Sequence, residues 1–247
     1  MTQLKLTAVG LGPGDPDLIT VKGMQAVQAA DVVFAPLNEK TGESTAITIA
    51  KPWLNREQQL VVPLALEMVR YAGTLTDVWA ATANQMHDAM QTHATGHDLE
   101  AVSAVYLILG DPSLYGTFTY IAAQMTVIHP DVALTVIPGV TSFAAGAAAA
   151  GHPLAVMDER LAILPASYEV EGNKLQQTLT EFDVVILMKV GRVLPQVLDA
   201  LESLNLLASS TYVEKVGMTG ERIIHDLRQL PRESAPYFSL IIVRKNA

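Results

Sequence analysis

The residues with most chemistry to offer stand in turns. Gly110-Asp111-Pro112 closes an apolar run from Ala104 to Leu109 and opens a helix-like segment. Glycine lets the backbone approach a bound group, Asp111 is suited to cap the following helix, and Pro112 fits a first helical position, where a missing N–H is harmless. An ordinary strand-to-helix turn would carry the same residues. The glycines at 10, 12 and 14 invite a dinucleotide reading, yet that fingerprint needs glycine where this chain has Asp15. The acidic residue that should hold a ribose is missing too, because Asp31 precedes the second strand and Ala35-Pro36-Leu37 follow it. No Gly-Lys-Ser/Thr follows the glycines, which argues against a P-loop.

Other constellations are thinner. His93 and His97 are four residues apart, a spacing that places two imidazoles on one helical face, with His87 on the same helix. A third ligand is wanting, since QTHATGHDLE reads as a solvated helix end, and no protein metal site is expected. His152 either lines a cleft or is a loop histidine without a role. No Gly-x-Ser-x-Gly elbow and no Ser, His and Asp set stands out. With no cysteine in the chain, disulfides, thiolate metal sites, iron–sulfur clusters and a Cys nucleophile are all excluded.

The elements that must hold these turns follow from the pattern of apolar residues. Strands are expected at Leu4 to Gly10, Asp31 to Ala35, Gln59 to Leu64, Ala104 to Leu109 and Ala133 to Ile137. Helices alternate with them: Pro16 to Ala30, Ser44 to Ala50, Thr74 to Thr95, and one running through Met125. This order predicts a mostly parallel sheet covered on both faces. An alanine-rich helix, TSFAAGAAAAG, changes the character of the chain, so the expected domains are 1–138 and 139–247. The second continues with strands at Arg160 to Leu164, Asp183 to Met188, Thr211 to Val216, Glu221 to Ile224 and Tyr237 to Val243, and helices near Gly172 to Thr180 and Val193 to Leu204. Its last three strands are linked too tightly for helical crossovers, which predicts antiparallel pairing and a mixed sheet. The fold class is therefore α/β in two domains, with a ligand cleft expected where strand ends of both halves meet.

Composition narrows the partners. Lys and Arg number 16 against 25 Asp and Glu, a net charge of −9, which argues against nonspecific nucleic-acid binding and against an anionic membrane surface. No apolar stretch approaches the roughly 18 residues of a membrane span. MTQLKLTAVGLG enters a strand without the features of a signal peptide, so the cytoplasm is the expected compartment.

Eight segments occur in an order that is informative: VGLGPGDPDLIT, ADVVFAPL, LGDPSLYGTF, IPGVTSF, ERLAILPA, VVILMKVGR, YVEKVGMTGERI and YFSLIIV. Together they span nearly the whole chain and resemble the tetrapyrrole methylases. LGDPSLYGTF, ILMKVG and YFSLIIV are most similar to the branch that methylates C20 of precorrin-2 in cobalamin biosynthesis. The resemblance implies two α/β domains, S-adenosylmethionine in the cleft, S-adenosylhomocysteine as product, a precorrin-2-type tetrapyrrole as substrate, and a homodimer. By motif it assigns the cofactor to Pro13, Gly110, Asp111, Leu114, Thr141, Ser142, Met188 and Val216, largely through main-chain groups. In the related uroporphyrinogen methylases an acidic residue stands where this chain has Ala35-Pro36, so their base does not carry over. Asp111, Lys189 and Tyr237, each at an expected strand end, are the candidates for orientation, charge and proton removal. Lys40, Lys51, Arg56, Arg160, Arg192 and Lys215 are candidates for pairing with substrate carboxylates. The alternatives are a methylase acting at another ring carbon and a tetrapyrrole-binding protein without turnover.

Overall fold

The computed structural model describes residues 2–38, 41–66, 72–171 and 173–245, with the side chains of 72–75 excepted. The chain forms two compact units, Met1–Val140 and Thr141–Ala247. The first carries β1 (Gln3–Gly10), α1 (Val21–Gln28), β2 (Val32–Leu37), α2 (Thr45–Ala50), β3 (Leu60–Ala65), α3 (Ala72–His97), β4 (Ala101–Ile108), α4 (Phe118–Ile128) and β5 (Val132–Ile137). Its sheet has the order β3-β2-β4-β1-β5, and every pairing is parallel. Central strands of such a sheet are covered on both faces, and Leu6 to Gly10 and Ala104 to Ile108 are accordingly buried without a break. Leu4, Leu6 and Ala8 of β1 pack with Phe34 and Tyr106 under Met86 and Met90 of α3 and Ile121 and Met125 of α4. Because side chains alternate along a strand, Val9 points to the opposite face, where it meets Gly23 of α1.

The expected helix over Pro16 to Ala30 is broken in two. Asp15 Oδ1 accepts from the Asp17 N–H at 2.9 Å and closes a short 3-10 turn, Pro16–Leu18. Ile19 is extended, and Thr20 starts α1 afresh by accepting from the Gly23 N–H at 3.0 Å. Two good N-caps five residues apart make a turn and a helix instead of one longer helix.

The second unit carries α5 (Ser142–Ala150), β6 (Leu161–Pro165), α6 (Ala166–Glu169), α7 (Lys174–Glu181), β7 (Val184–Met188), α8 (Leu194–Ser203), β8 (Ser210–Glu214), β9 (Arg222–Ile224) and β10 (Ser239–Arg244). The sheet order is β6-β7-β10-β8-β9, with β6 and β7 parallel and the other pairs antiparallel. The short α6 was not signalled by periodicity, and Gly172, where a helix start was expected, lies outside the described residues. Helix α5 lies on Val213 and Leu240 and ends at Gly151, whose left-handed φ of 70° lets its N–H reach back into the last turn. On the opposite face, α7 and α8 bury Leu175, Leu179, Leu198 and Leu201 against Val185 and Ile241.

Candidate functional site

In the first unit three strand ends meet backbone to backbone. A Cβ on Gly10 would lie 2.5 Å from the Gly139 nitrogen and 2.7 Å from the Gly110 oxygen, so only glycine lets β1 pass so close to the turns after β4 and β5. The turn after β1 folds over at Gly12 (φ 80°), and that after β4 at Gly110 (φ 69°). They are joined by the Gly110 N–H donating to the Gly12 carbonyl at 2.7 Å, while the Leu11 N–H donates to the Ile108 carbonyl at 2.9 Å. In contrast to the crowding at Gly10, a Cβ on Gly110 would meet nothing within 4 Å, so the outer side of this turn is open.

Asp111 completes the rim. Its Oδ1 accepts from the Ser113 N–H at 2.8 Å and its Oδ2 from the Gly139 N–H at 3.0 Å. The carboxylate therefore clamps the β4 turn to the β5 turn across 28 positions of chain. It does not cap the following helix: α4 begins at Phe118 behind Thr117, and a turn over Pro112 to Gly116 intervenes. Buried Pro13, half-buried Leu114 and Gly110 share this end of the unit. Behind it, the buried Tyr106 hydroxyl lies 2.9 Å from Thr117 Oγ1, and burial pushes its pKa up to about 12.

The second unit assembles its own group at one end of the mixed sheet. Strands β7 and β8 finish on either side of the start of β10, with Met188 paired to Leu240 and Glu214 to Ser239. Lys189, Lys215 and Tyr237 are thus brought to the same rim. The Lys215 N–H donates to the Phe238 carbonyl at 2.8 Å, and the Val190 N–H to the Ser239 carbonyl at 3.3 Å. Both lysines are left-handed, with φ of 57° at Lys189 and 49° at Lys215, a conformation that costs about 1–3 kcal/mol in a residue with a Cβ. Tyr237 is not in a strand: it precedes β10, is 57 % exposed, and sets its ring edge-on to Phe238. Val216 likewise lies past the end of β8, yet it is buried with Val213 and Leu240 in an apolar cluster that Phe143 and Met188 join. Thr141 accepts from the Ala144 N–H as the N-cap of α5, and Ser142 is the first residue of that helix.

Other expectations shift. Arg160, exposed, is paired with Glu181 at 2.9 Å and stacked over Phe182. Lys51, Arg56 and Arg192 are exposed, whereas Lys40 lies outside the described residues. His97 Nδ1 contacts the His93 carbonyl at 3.0 Å within the helix, and His87 pairs instead with His129, which the sequence reading did not single out. His152 is held 3.1 Å from Thr211 Oγ1 beside His225, and burial, then the charges of His225 and Arg244, keep its pKa below the usual imidazole range. Glu214, which the sequence places at a strand end without giving it a role, accepts from the Tyr212 hydroxyl at 2.8 Å and from Arg222 at 2.9 Å. Two cues were present: Tyr212 and Glu214 share a strand face, and Arg222 is directly opposite Glu214. Burial and the Glu214 carboxylate push the Tyr212 phenol up to about 12.

Taken by their geometry, these are rims that present main-chain amides and carbonyls on tight turns, at the carboxyl ends of parallel strands in the first unit, where open α/β sheets gather ligands. The class so defined is a two-unit α/β protein with a rim of glycine turns. More particularly, the chain belongs to the tetrapyrrole (corrin/porphyrin) methylase family, whose family model matches residues 5–231. It is 35% identical over 246 residues to the cobalamin biosynthesis protein CobIJ of Mycobacterium tuberculosis, matching 96% of this chain but spanning only 45% of that protein's length. It is 32% identical to a precorrin-2 C(20)-methyltransferase of Sinorhizobium sp., covering 97% of this chain and 94% of the relative. In fold it is similar to the uroporphyrin-III C-methyl transferase of Thermus thermophilus, solved with S-adenyl homocysteine, at a TM-score of 0.64 and 20% identity over 98% of this chain and 97% of that one. Among the described residues, no helix is long and apolar enough to cross a membrane.

Proposed function

We propose that this protein is an S-adenosylmethionine-dependent C-methyltransferase that methylates C20 of a precorrin-2-type tetrapyrrole, metal-free or cobalt-bound, in cobalamin biosynthesis. The observation that carries the reading is the glycine rim of the first unit, closed on the inside at Gly10 and open on the outside at Gly110, in a chain similar from end to end to a precorrin-2 C(20)-methyltransferase. The residues assigned to the cofactor are Pro13, Gly110, Asp111 and Leu114 in the first unit, and Thr141, Ser142, Met188 and Val216 in the second. The rim fits such a group, because a purine, a ribose and an amino-acid end can be met by amides and carbonyls held in fixed directions with few side chains in the way. Bound S-adenosylmethionine supplies a methyl group already activated by its sulfonium charge.

The protein's own task is then alignment and proton removal. Transfer breaks the sulfur–methyl bond, forms a bond to the ring carbon, and leaves one proton to be lost. Asp111 keeps the β4 and β5 turns in register, and its remaining lone pairs can take a pyrrole N–H. Lys189 pairs with a substrate carboxylate, and Tyr237, exposed beside it at the same rim, passes on the proton. The chain acts in the cytoplasm as a homodimer.

The test is incubation with precorrin-2, or its cobalt form, and methyl-labelled S-adenosylmethionine, with the product read by mass spectrometry and NMR. Label at C20 supports the reading; label at another ring carbon, or none, overturns it. Calorimetry with S-adenosylhomocysteine separates an enzyme from a carrier, and light scattering reads the homodimer.

A further inference from the structure

A second cluster of ligating side chains stands at the far end of the first unit. Asp131 immediately precedes Val132, where β5 begins, so the cluster lies at the amino ends of the parallel strands. The glycine rim stands at their carboxyl ends, a strand length of about 20 Å away. His87 projects from α3, His129 is the residue that closes α4, and Asp131 follows two positions on. One ligand atom from each lies within 4.8 Å of the others. The imidazoles are stacked, with centroids 3.8 Å apart and planes 8° from parallel, and His87 Nε2 is 3.8 Å from Asp131 Oδ2.

Two details go beyond proximity. Asn84 Oδ1 lies 2.8 Å from His129 Nε2; with the amide oxygen accepting there, the ring takes the tautomer protonated at Nε2, which leaves the Nδ1 lone pair for an ion. This is the outer-shell contact that fixes a ligating imidazole in its tautomer. His87, in turn, has a side chain only 16% exposed, and its Nδ1 is buried with no hydrogen-bond partner, the closest acidic atom being Asp88 Oδ1 at 3.5 Å. A buried polar atom without a partner costs about 1–3 kcal/mol, so the ring gives up no hydrogen bond there when it turns.

We propose that His87, His129 and Asp131 form a binding site for a divalent transition metal ion of the zinc class, with solvent in the fourth position. Two imidazoles and one carboxylate are a donor set that such ions take, at bond lengths of about 2.0–2.2 Å. The stacked rings must swing about their side-chain torsions so that their lone pairs converge, and Asp131, whose side chain is 56% exposed, must move in. Placed away from the glycine rim, the ion ties α3 to the link between α4 and β5 and has a structural role.

The experiment is calorimetric titration of ZnCl2 into untagged, chelator-treated full-length protein, with thermal denaturation alongside. One equivalent bound, with a raised melting temperature, is expected. Asp131→Asn and His129→Gln should each weaken binding by about tenfold or more, consistent with the loss of a ligand. The double variant His93→Gln/His97→Gln should bind as the parent does. Asp131 is exposed, so its variant keeps the fold even if His129→Gln does not. The proposal is overturned if no zinc binds at about a hundred micromolar, if Asp131→Asn binds like the parent, or if the His93/His97 variant loses the ion.

Discussion

The two rims meet a similar backbone demand in opposite ways. In the first unit the left-handed positions where the β1 and β4 turns join are glycines, Gly12 and Gly110, with Tyr115 left-handed only further along the β4 turn, and Gly10 and Gly139 pack so closely that no side chain could be admitted. In the second unit the left-handed positions just past β7 and β8 are lysines. Where strands of a parallel sheet end side by side, the turns crowd together and the backbone itself is the useful surface. At the end of the antiparallel trio the turns after β7 and β8 are each tied to the chain entering β10, and the left-handed residue there carries a charged side chain. A strained residue that keeps a long cationic side chain is an argument that the side chain is used.

Gly10→Ala attacks this contrast at its firmest point. The new methyl meets main-chain atoms that cannot step aside, so a loss of about 3 kcal/mol or more is expected, together with loss of S-adenosylhomocysteine binding. Denaturant unfolding and calorimetry would read both, and a variant of parental stability would show that the contact is soft. Asp111→Asn is milder. It sets an amide donor against the Gly139 N–H or the Ser113 N–H, and a loss of about 1.5–3 kcal/mol is expected, with weaker cofactor affinity ahead of any change in the pH profile of turnover. A general-base role alone would shift the profile and leave the affinity alone.

Lys189→Gly should move stability the other way. Relief of the left-handed strain, less the added freedom of glycine when unfolded, is expected to stabilise by up to about 1 kcal/mol while KM for the tetrapyrrole rises. Stabilisation without a kinetic cost would mean that the lysine is strained for no gain in binding. The smallest effect concerns His152. Its folded-state pKa lies below the unfolded 6.5, so its contribution is complete above that value and is lost as pH falls through the folded value. The melting temperature should be flat from about pH 8 to 7 and decline below about 6.5, and His152→Gln should flatten the decline.

The sequence revealed local features more readily than contacts. Alternating strands and helices, the parallel first sheet and the antiparallel close of the second all follow from period and link length, and TSFAAGAAAAG does form a helix. What escaped depends on partners far along the chain. Nothing in LGDPSLYGTF says that Asp111 reaches Gly139, because a side-chain bond to a distant main-chain amide leaves no periodic trace. The same holds for His87 and His129, from α3 and the end of α4, whereas the break at Ile19 is a local effect, two caps competing within one segment. The residues of the two rims were named, but the manner in which Asp111 and Tyr237 are held was not.

The contact of Gly10, Gly110 and Gly139 also bears on motion. The amides of Leu11, Gly110 and Gly139 are each held by a different turn or strand end, at Ile108, Gly12 and Asp111 respectively. None of these three loops can lift without dragging the others, so the rim should open as one cooperative unit. Their amide hydrogens should therefore exchange with solvent deuterium at a common, slow free energy of opening, unlike ordinary surface loops, which exchange independently and fast.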